Sequence, residues 1–348
     1  MKIAVLQFFS WPERRVDLAS VYARALERIE IMDRTGYDAV WLAEHHFSSF
    51  SVCPSVHMMG MLAAARTTRL RIGTGVSLAP FYHPLRLAEE VALLDVLSGG
   101  RVNWGAGRGF ARVEFENFGV PPEESTSRFR ETVEIVLRAW TDERLSFAGT
   151  HFNFHGVEVL PKPLQLPHPP VWMAATSESA LDWAAGRGFS ILMDPHASAR
   201  DIGRKRRYYA ERLEAAGFSI AGRELPVARL LALSDTTAKA AEVARRGAQW
   251  MVDSYFGATH RPVGVVDPAA PGADPVQRYL DEVILHGTPQ AVLDQILRLR
   301  EEIGLDYLLC APLSHQTFTM LTEQILPRLQ TLSRTAGEAG PPAVAGGG

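Results

Sequence analysis

The chain has 348 residues, 47% hydrophobic and 22% charged, with a formal net charge of -3. That is enough apolar chain for one large core or two average ones, and it supplies no broad basic field, which argues against nucleic acid as a partner. The first residues hold one lysine and an apolar run broken at Gln7, no later stretch has the ~18 uncharged apolar residues of a membrane span, and Cys53 and Cys310 form neither a disulfide framework nor a zinc knuckle, so the expectation is a cytoplasmic protein with no membrane partner.

Residues 2–8 (KIAVLQF) read as a buried strand, and Ser10-Trp11-Pro12 turns the chain into an amphipathic helix over 17–35 with Gly36 as its C-cap. A second strand over 38–42 leads into an exit loop at 44–53, and Pro54 precedes a helix over 56–65. The rhythm continues with strands at 70–74 and 101–106, followed by helices at 84–97 and 128–140. It resumes with strand 171–175, helix 177–185, strand 189–193, helix 198–216, strand 227–233 and helix 239–252. The last unit is helix 289–303, strand 307–310 and helix 316–329. Eight short apolar strands, each followed by a helix, predict parallel strands buried on both faces. The predicted fold class is α/β: a single-domain (β/α)8 TIM barrel over 1–330, with a flexible tail over 331–348. An open doubly wound sheet is weaker, because Phe-Phe-Ser-Trp-Pro and not a glycine fingerprint follows the first strand.

Two segments break the rhythm, at 143–170 after strand 4 and at 257–288 after strand 7. The first alternates polar and apolar residues about Gly149, as a hairpin insertion would. The second is rich in Pro, Gly and Ala and long enough for a lid.

In such a barrel the chemistry sits just after each strand. Those positions hold Glu44-His45-His46, Gly73-Thr74-Gly75, Gly105-Ala106-Gly107-Arg108-Gly109, Thr176-Ser177 and Asp194. A Glu-His-His run is on its types alone a hydrogen-bonded loop or an interface as readily as a catalytic site, and its place on the strand-end rim favours catalysis. The small residues at 73–75 let backbone approach a flat ligand, although plain packing glycines read the same way. The alternate glycines around Arg108 suggest an open, mobile phosphate loop. Thr176 and Ser177 open a helix whose free N–H groups attract anions, although an ordinary N-cap reads the same way. Metal is disfavoured: adjacent side chains do not converge on one ion, and no matching ligand set follows at later strand ends.

Trp41-Leu42-Ala43-Glu44-His45-His46-Phe47, Gly73-Thr74, His83-Pro84, Leu94-Asp95, Ser98-x-Gly100-Arg101, Arg108-Gly109, Trp183-Ala184-Ala185, Asp253-Ser254-Tyr255 and Gly287-Thr288-Pro289-Gln290 stand in the order of a known family's signature positions. On these residues the chain, from 2 to about 329, resembles the bacterial luciferase-like family of flavin-dependent monooxygenases, in particular its luciferase catalytic subunits. The resemblance implies a reduced FMN cofactor supplied by a separate flavin reductase. It implies a C4a-hydroperoxyflavin formed with O2, and oxygenation of a small organic substrate, with secondary metabolism as the expected setting. It makes His45 the catalytic histidine and Glu44 a carboxylate beside the flavin. Gly75-Val76 would be a cis peptide under the ring. Arg108, Thr176 and Ser177 would grip the phosphate, with Arg128 in support. It places His46 near Glu89 of a second copy, in a homodimer built on helices 54–65 and 84–97.

Gly107 stands where luciferase has a reactive cysteine, and Asp194-Pro195-His196 replaces a tryptophan-bearing pocket segment, so light emission does not follow from the resemblance. Two other readings compete. One is a deazaflavin-dependent hydride-transfer oxidoreductase on the same barrel. The other is a non-catalytic flavin-binding or partner subunit, against which the presence of both Glu44 and His45 argues.

Overall fold

The computed structural model describes residues 1–193, 195–255, 257, 262–263 and 274–338. Asp194, Phe256, residues 258–261 and 264–273 of the segment expected to form a lid, and the last ten residues lie outside this set.

Each expected strand is present, with ends within two residues of expectation. β1 (Lys2–Gln7) leads to α1 (Leu18–Thr35), which Asp17 caps by accepting from the Ser20 amide and which Gly36 ends at φ 93°. β2 (Ala39–Leu42), α2 (Val56–Arg66), β3 (Arg71–Thr74), a two-residue β4 (Ser77–Leu78) and α3 (Pro84–Ser98) follow. β5 (Val102–Gly107) precedes α4 (Arg112–Phe118) and α5 (Ser125–Thr141). An antiparallel pair, β6 (Leu145–Ala148) with β7 (Asn153–Val157), comes before β8 (Val171–Ala174). The second half runs α6 (Glu178–Gly186), β9 (Ser190–Leu192), α7 (Ala199–Ala215), β10 (Val227–Leu233), α8 (Thr237–Tyr255) and α9 (Pro275–Arg278). It closes with β11 (Leu285–Gly287), α10 (Pro289–Ile303), β12 (Tyr307–Pro312), α11 (His315–Met320) and α12 (Leu326–Glu338).

The main sheet is parallel, in the order β11-β10-β12-β1-β2-β3-β5-β8-β9. It curls: Trp41 on β2 meets Trp172 on β8 edge to face at 5.3 Å although β3 and β5 lie between their strands, a contact that only a concave face permits. At the far end Met193, just past β9, bridges Val227 at the start of β10, and its amide donates to the Pro226 carbonyl at 3.1 Å. Period-two alternation sorts the side chains into two cores. Ala4, Leu6, Ala39, Trp41 and Trp172 pack on the concave side, and Ile3, Val5, Val40, Leu42 and Ile72 pack against the helices.

Three expectations need correction. β11 is a ninth strand, inside the segment read as one long lid, because three residues are too few to show as an apolar run. Residues 105–107, expected to be part of a mobile glycine loop, are the end of β5 and buried. A Cβ at Gly105 would collide with the Thr74 carbonyl, and one at Gly73 with the Trp41 ring, so these glycines make room inside the protein and not for a ligand. Finally, α12 runs through Glu338, past the point where a loose tail was expected to begin.

Candidate active site

β2 ends at Leu42, and the contacts of its exit loop divide the Glu-His-His run. Trp41 and Ala43 face the concave side, and His45 shares their parity. Glu44 and His46 alternate with it and contact each other. His46, expected to turn outward to a partner, instead faces Glu44. His46 Nε2 lies 3.1 Å from Glu44 Oε1, and the His46 side chain is only 11% exposed.

Glu44 is 2% exposed, a position that would be costly for a lone carboxylate. The Tyr82 hydroxyl donates to its second oxygen at 2.9 Å, so each oxygen has a partner. Burial, reinforced by the Glu44 charge, pushes the Tyr82 phenol well above its ordinary pKa, and it stays a donor. Burial likewise raises the Cys53 thiol to about 12, which keeps it inert.

His45 occupies an aromatic chamber. Its ring meets Phe50 at 4.9 Å and Phe110 at 5.7 Å edge-on, and Phe110 stacks on Tyr255 at 4.3 Å. Its Nδ1 lies 3.4 Å from Oε1 of Glu114, a fully buried residue whose same oxygen accepts the His46 amide at 3.0 Å. Among the described residues neither His45 Nδ1 nor Glu114 Oε2 has a hydrogen-bond partner. Unpaired buried polar atoms at strand ends mark a place built for something else to bind or for a proton to move. Sequence reading missed Glu114, because α4 fell in a stretch taken for loop.

Beside this chamber the Gly75–Val76 peptide bond is cis, as the resemblance implied. A Cβ at Gly107 would overlap the Val76 side chain and come near Ala174. Val76, Gly107 and Ala174 thus form one surface across three strand ends. Next to it, Arg108 donates to the Ser125 hydroxyl at 3.2 Å and the Val263 carbonyl at 2.9 Å. Among the described residues no carboxylate pairs with it, and burial lowers its pKa. It is a desolvated cation without a counter-charge, which suits an anion. Thr176 and Ser177 are exposed at the end of β8, and Ser177 caps α6 by accepting from the Ala180 amide. Arg108 and helix α6, which Ser177 caps, both touch the start of α5: Ser125 meets Arg108, and Arg130 donates to the Ser179 carbonyl at 3.5 Å. Five residues of helix separate those anchors, roughly 7.5 Å of rise. Arg128, on the same helix, is bound to Glu124 at 2.8 Å.

These features define an α/β protein whose candidate site lies at the C-terminal ends of parallel strands. The family model described as luciferase-like monooxygenase matches residues 1–307. The oxygenase component of flavin-dependent trigonelline monooxygenase from Acinetobacter baylyi is 32% identical over 177 residues, 50% of this chain and 49% of that one. Among solved structures, the monooxygenase RslO1 from Streptomyces bottropensis matches with a TM-score of 0.83 and 27% identity, over 94% of this chain and 100% of that one. The oxygenating constituent of 3,6-diketocamphane monooxygenase from Pseudomonas putida, solved with FMN, matches in fold with a TM-score of 0.77 and 18% identity, over 94% and 98%. The chain belongs to the luciferase-like monooxygenase family and is an enzyme of the flavin-dependent monooxygenase class.

Proposed function

We propose that the protein is the oxygenase of a two-component system, taking reduced FMN from a separate flavin reductase and inserting one atom of O2 into a small organic substrate. The observation that carries this reading is Arg108, a half-buried cation beside the Val76–Gly107–Ala174 surface with no carboxylate partner among the described residues. In this reading Arg108, Thr176 and Ser177 hold the FMN phosphate, and Arg128 steadies Glu124 at the entrance. Gly75 and Val76 carry the flavin ring, with Glu44 held at its edge by His46 and Tyr82.

Reduced FMN supplies the electrons that activate dioxygen, so that one oxygen atom enters the substrate and the other leaves as water. Around it, the Glu114 carboxylate, 3.4 Å from His45 Nδ1, favours a proton on that nitrogen and so leaves Nε2 to accept or return one. Phe50, Phe110 and Tyr255 keep water from that nitrogen.

The same reading makes the curled sheet a closed (β/α)8 barrel of β1, β2, β3, β5, β8, β9, β10 and β12, forming one domain. The hairpin of β6 and β7 and the segment after β10 are insertions in it. It also makes the protein a cytoplasmic homodimer. Met58 and Leu62 on α2 and Leu93 and Leu97 on α3 are 77%, 39%, 45% and 59% exposed, a density of large apolar side chains on adjoining helices that favours a second copy as cover. No described helix is long and apolar enough to cross a membrane.

Turnover with reduced FMN, isotopically labelled dioxygen and a panel of small organic substrates tests the function. One labelled oxygen atom in the product is expected; a product oxidised without label would mean hydride transfer and would overturn the proposal.

A further inference from the structure

Behind the proposed flavin surface lies a second buried histidine that the reading above does not use. His57, on the first turn of α2, is 4% exposed. Its Nδ1 lies 3.1 Å from Glu90 Oε2 on α3, and its Nε2 lies 3.0 Å from the Ser77 hydroxyl on β4. With the Nδ1 proton directed at the carboxylate, Nε2 accepts from the serine, so both ring nitrogens and the hydroxyl are satisfied in one chain of bonds across three elements. The order serine, histidine, acid is that of a nucleophilic triad, but the Ser77 side chain is fully buried, against the helices, and has no access to a substrate.

What the chain of bonds reaches is the floor of the site. Ser77 follows the cis Gly75–Val76 bond directly and pairs with Ala106 of β5, next to the glycine that Val76 overlies. The same imidazole packs edge-on against the ring of Tyr82 at 5.4 Å, and Tyr82 donates to Glu44. One ring therefore buttresses both groups assigned above to the flavin. Glu90 is the one member with contact to solvent, its side chain 29% exposed and also bound by Arg86 at 2.8 Å.

We propose that Glu90–His57–Ser77 is a positioning relay in which His57 fixes the Val76 turn and, through Tyr82, the Glu44 carboxylate. The proposal rests on the reading that Gly75–Val76 and Glu44 face the flavin. His57 touches neither substrate nor cofactor and acts through Ser77 and Tyr82.

Two readouts on the purified full chain test it. The first is amide hydrogen exchange of residues 74–82 in ligand-free protein. The second is the anaerobic dissociation constant for reduced FMN. His57→Leu, which keeps the volume and removes both bonds, should exchange at least tenfold faster over 74–82 and bind reduced FMN at least tenfold more weakly. His57→Gln, which keeps a donor and an acceptor, should recover most of both. Ser77→Ala removes only the hydroxyl and carries the test should His57→Leu not fold. It should move both readouts in the same direction. Exchange and FMN affinity within twofold of the parent in Ser77→Ala and His57→Leu would overturn the relay. A parent that does not bind reduced FMN would instead overturn the flavin reading, and the exchange data would still decide whether His57 positions the turn.

Discussion

Glu44 is a buried carboxylate whose two oxygens are each claimed by one donor, and its energetics follow from that. Tyr82→Phe removes a hydrogen bond to a charged, buried group and should cost about 1.5–3 kcal/mol, measured by denaturant unfolding. His45→Ala should abolish turnover while leaving the fold and the oligomeric state intact. His46→Ala withdraws a partner from Glu44 and should first weaken flavin binding, which isothermal titration would show. The sequence announces the three polar residues but not their grouping. Grouping depends on the phase of the strand, and counting parity from Trp41 would have paired Glu44 with His46. Glu114 carries no local signal at all: a glutamate on a short helix becomes informative only when the fold brings it 3.4 Å from His45.

Among the elements, β3 and β5 show how a glycine pattern misleads. Gly73 and Gly105 look like the lining of a ligand loop, yet they clear space for Trp41 and the Thr74 carbonyl, while the Thr74 hydroxyl bonds the Gly105 carbonyl at 2.7 Å. Gly73→Ala should therefore overpack the concave core and destabilise by about 1–3 kcal/mol, read from thermal or denaturant unfolding. α2 and α3 offer a pH test. The hydrogen bond from His57, followed by that from Arg86, holds the Glu90 carboxyl below its ordinary value of 4.5. A depressed folded-state pKa means that the contribution is fully present above 4.5 and is lost as pH falls below it. The unfolding free-energy difference between parent and Glu90→Gln should thus shrink as the solution is acidified from pH 6 to pH 3 (roughly the range bracketing a carboxylate pKa). An unchanging difference would contradict the assignment.

At the scale of the molecule, the fold was legible because buried parallel strands read as short apolar runs whatever their neighbours, and helices as longer periodic ones. β11 escaped because neighbours, and not its own three residues, make it a strand. In the proposed dimer the exposed leucines of α3 form the seam: Leu97→Glu should shift the protein from dimer to monomer in sedimentation velocity with little effect on the fold. The proposed chemistry of the strand-end site turns on whether Arg108 grips a phosphate. The most direct measurement compares anaerobic binding of reduced FMN and reduced riboflavin, which differ only by that phosphate, to the parent and to Arg108→Ala. The parent should prefer reduced FMN by at least tenfold, about 1.4 kcal/mol, and Arg108→Ala should lose the preference. Equal affinity for the two flavins in the parent, or a preference that survives the loss of Arg108, would contradict the account.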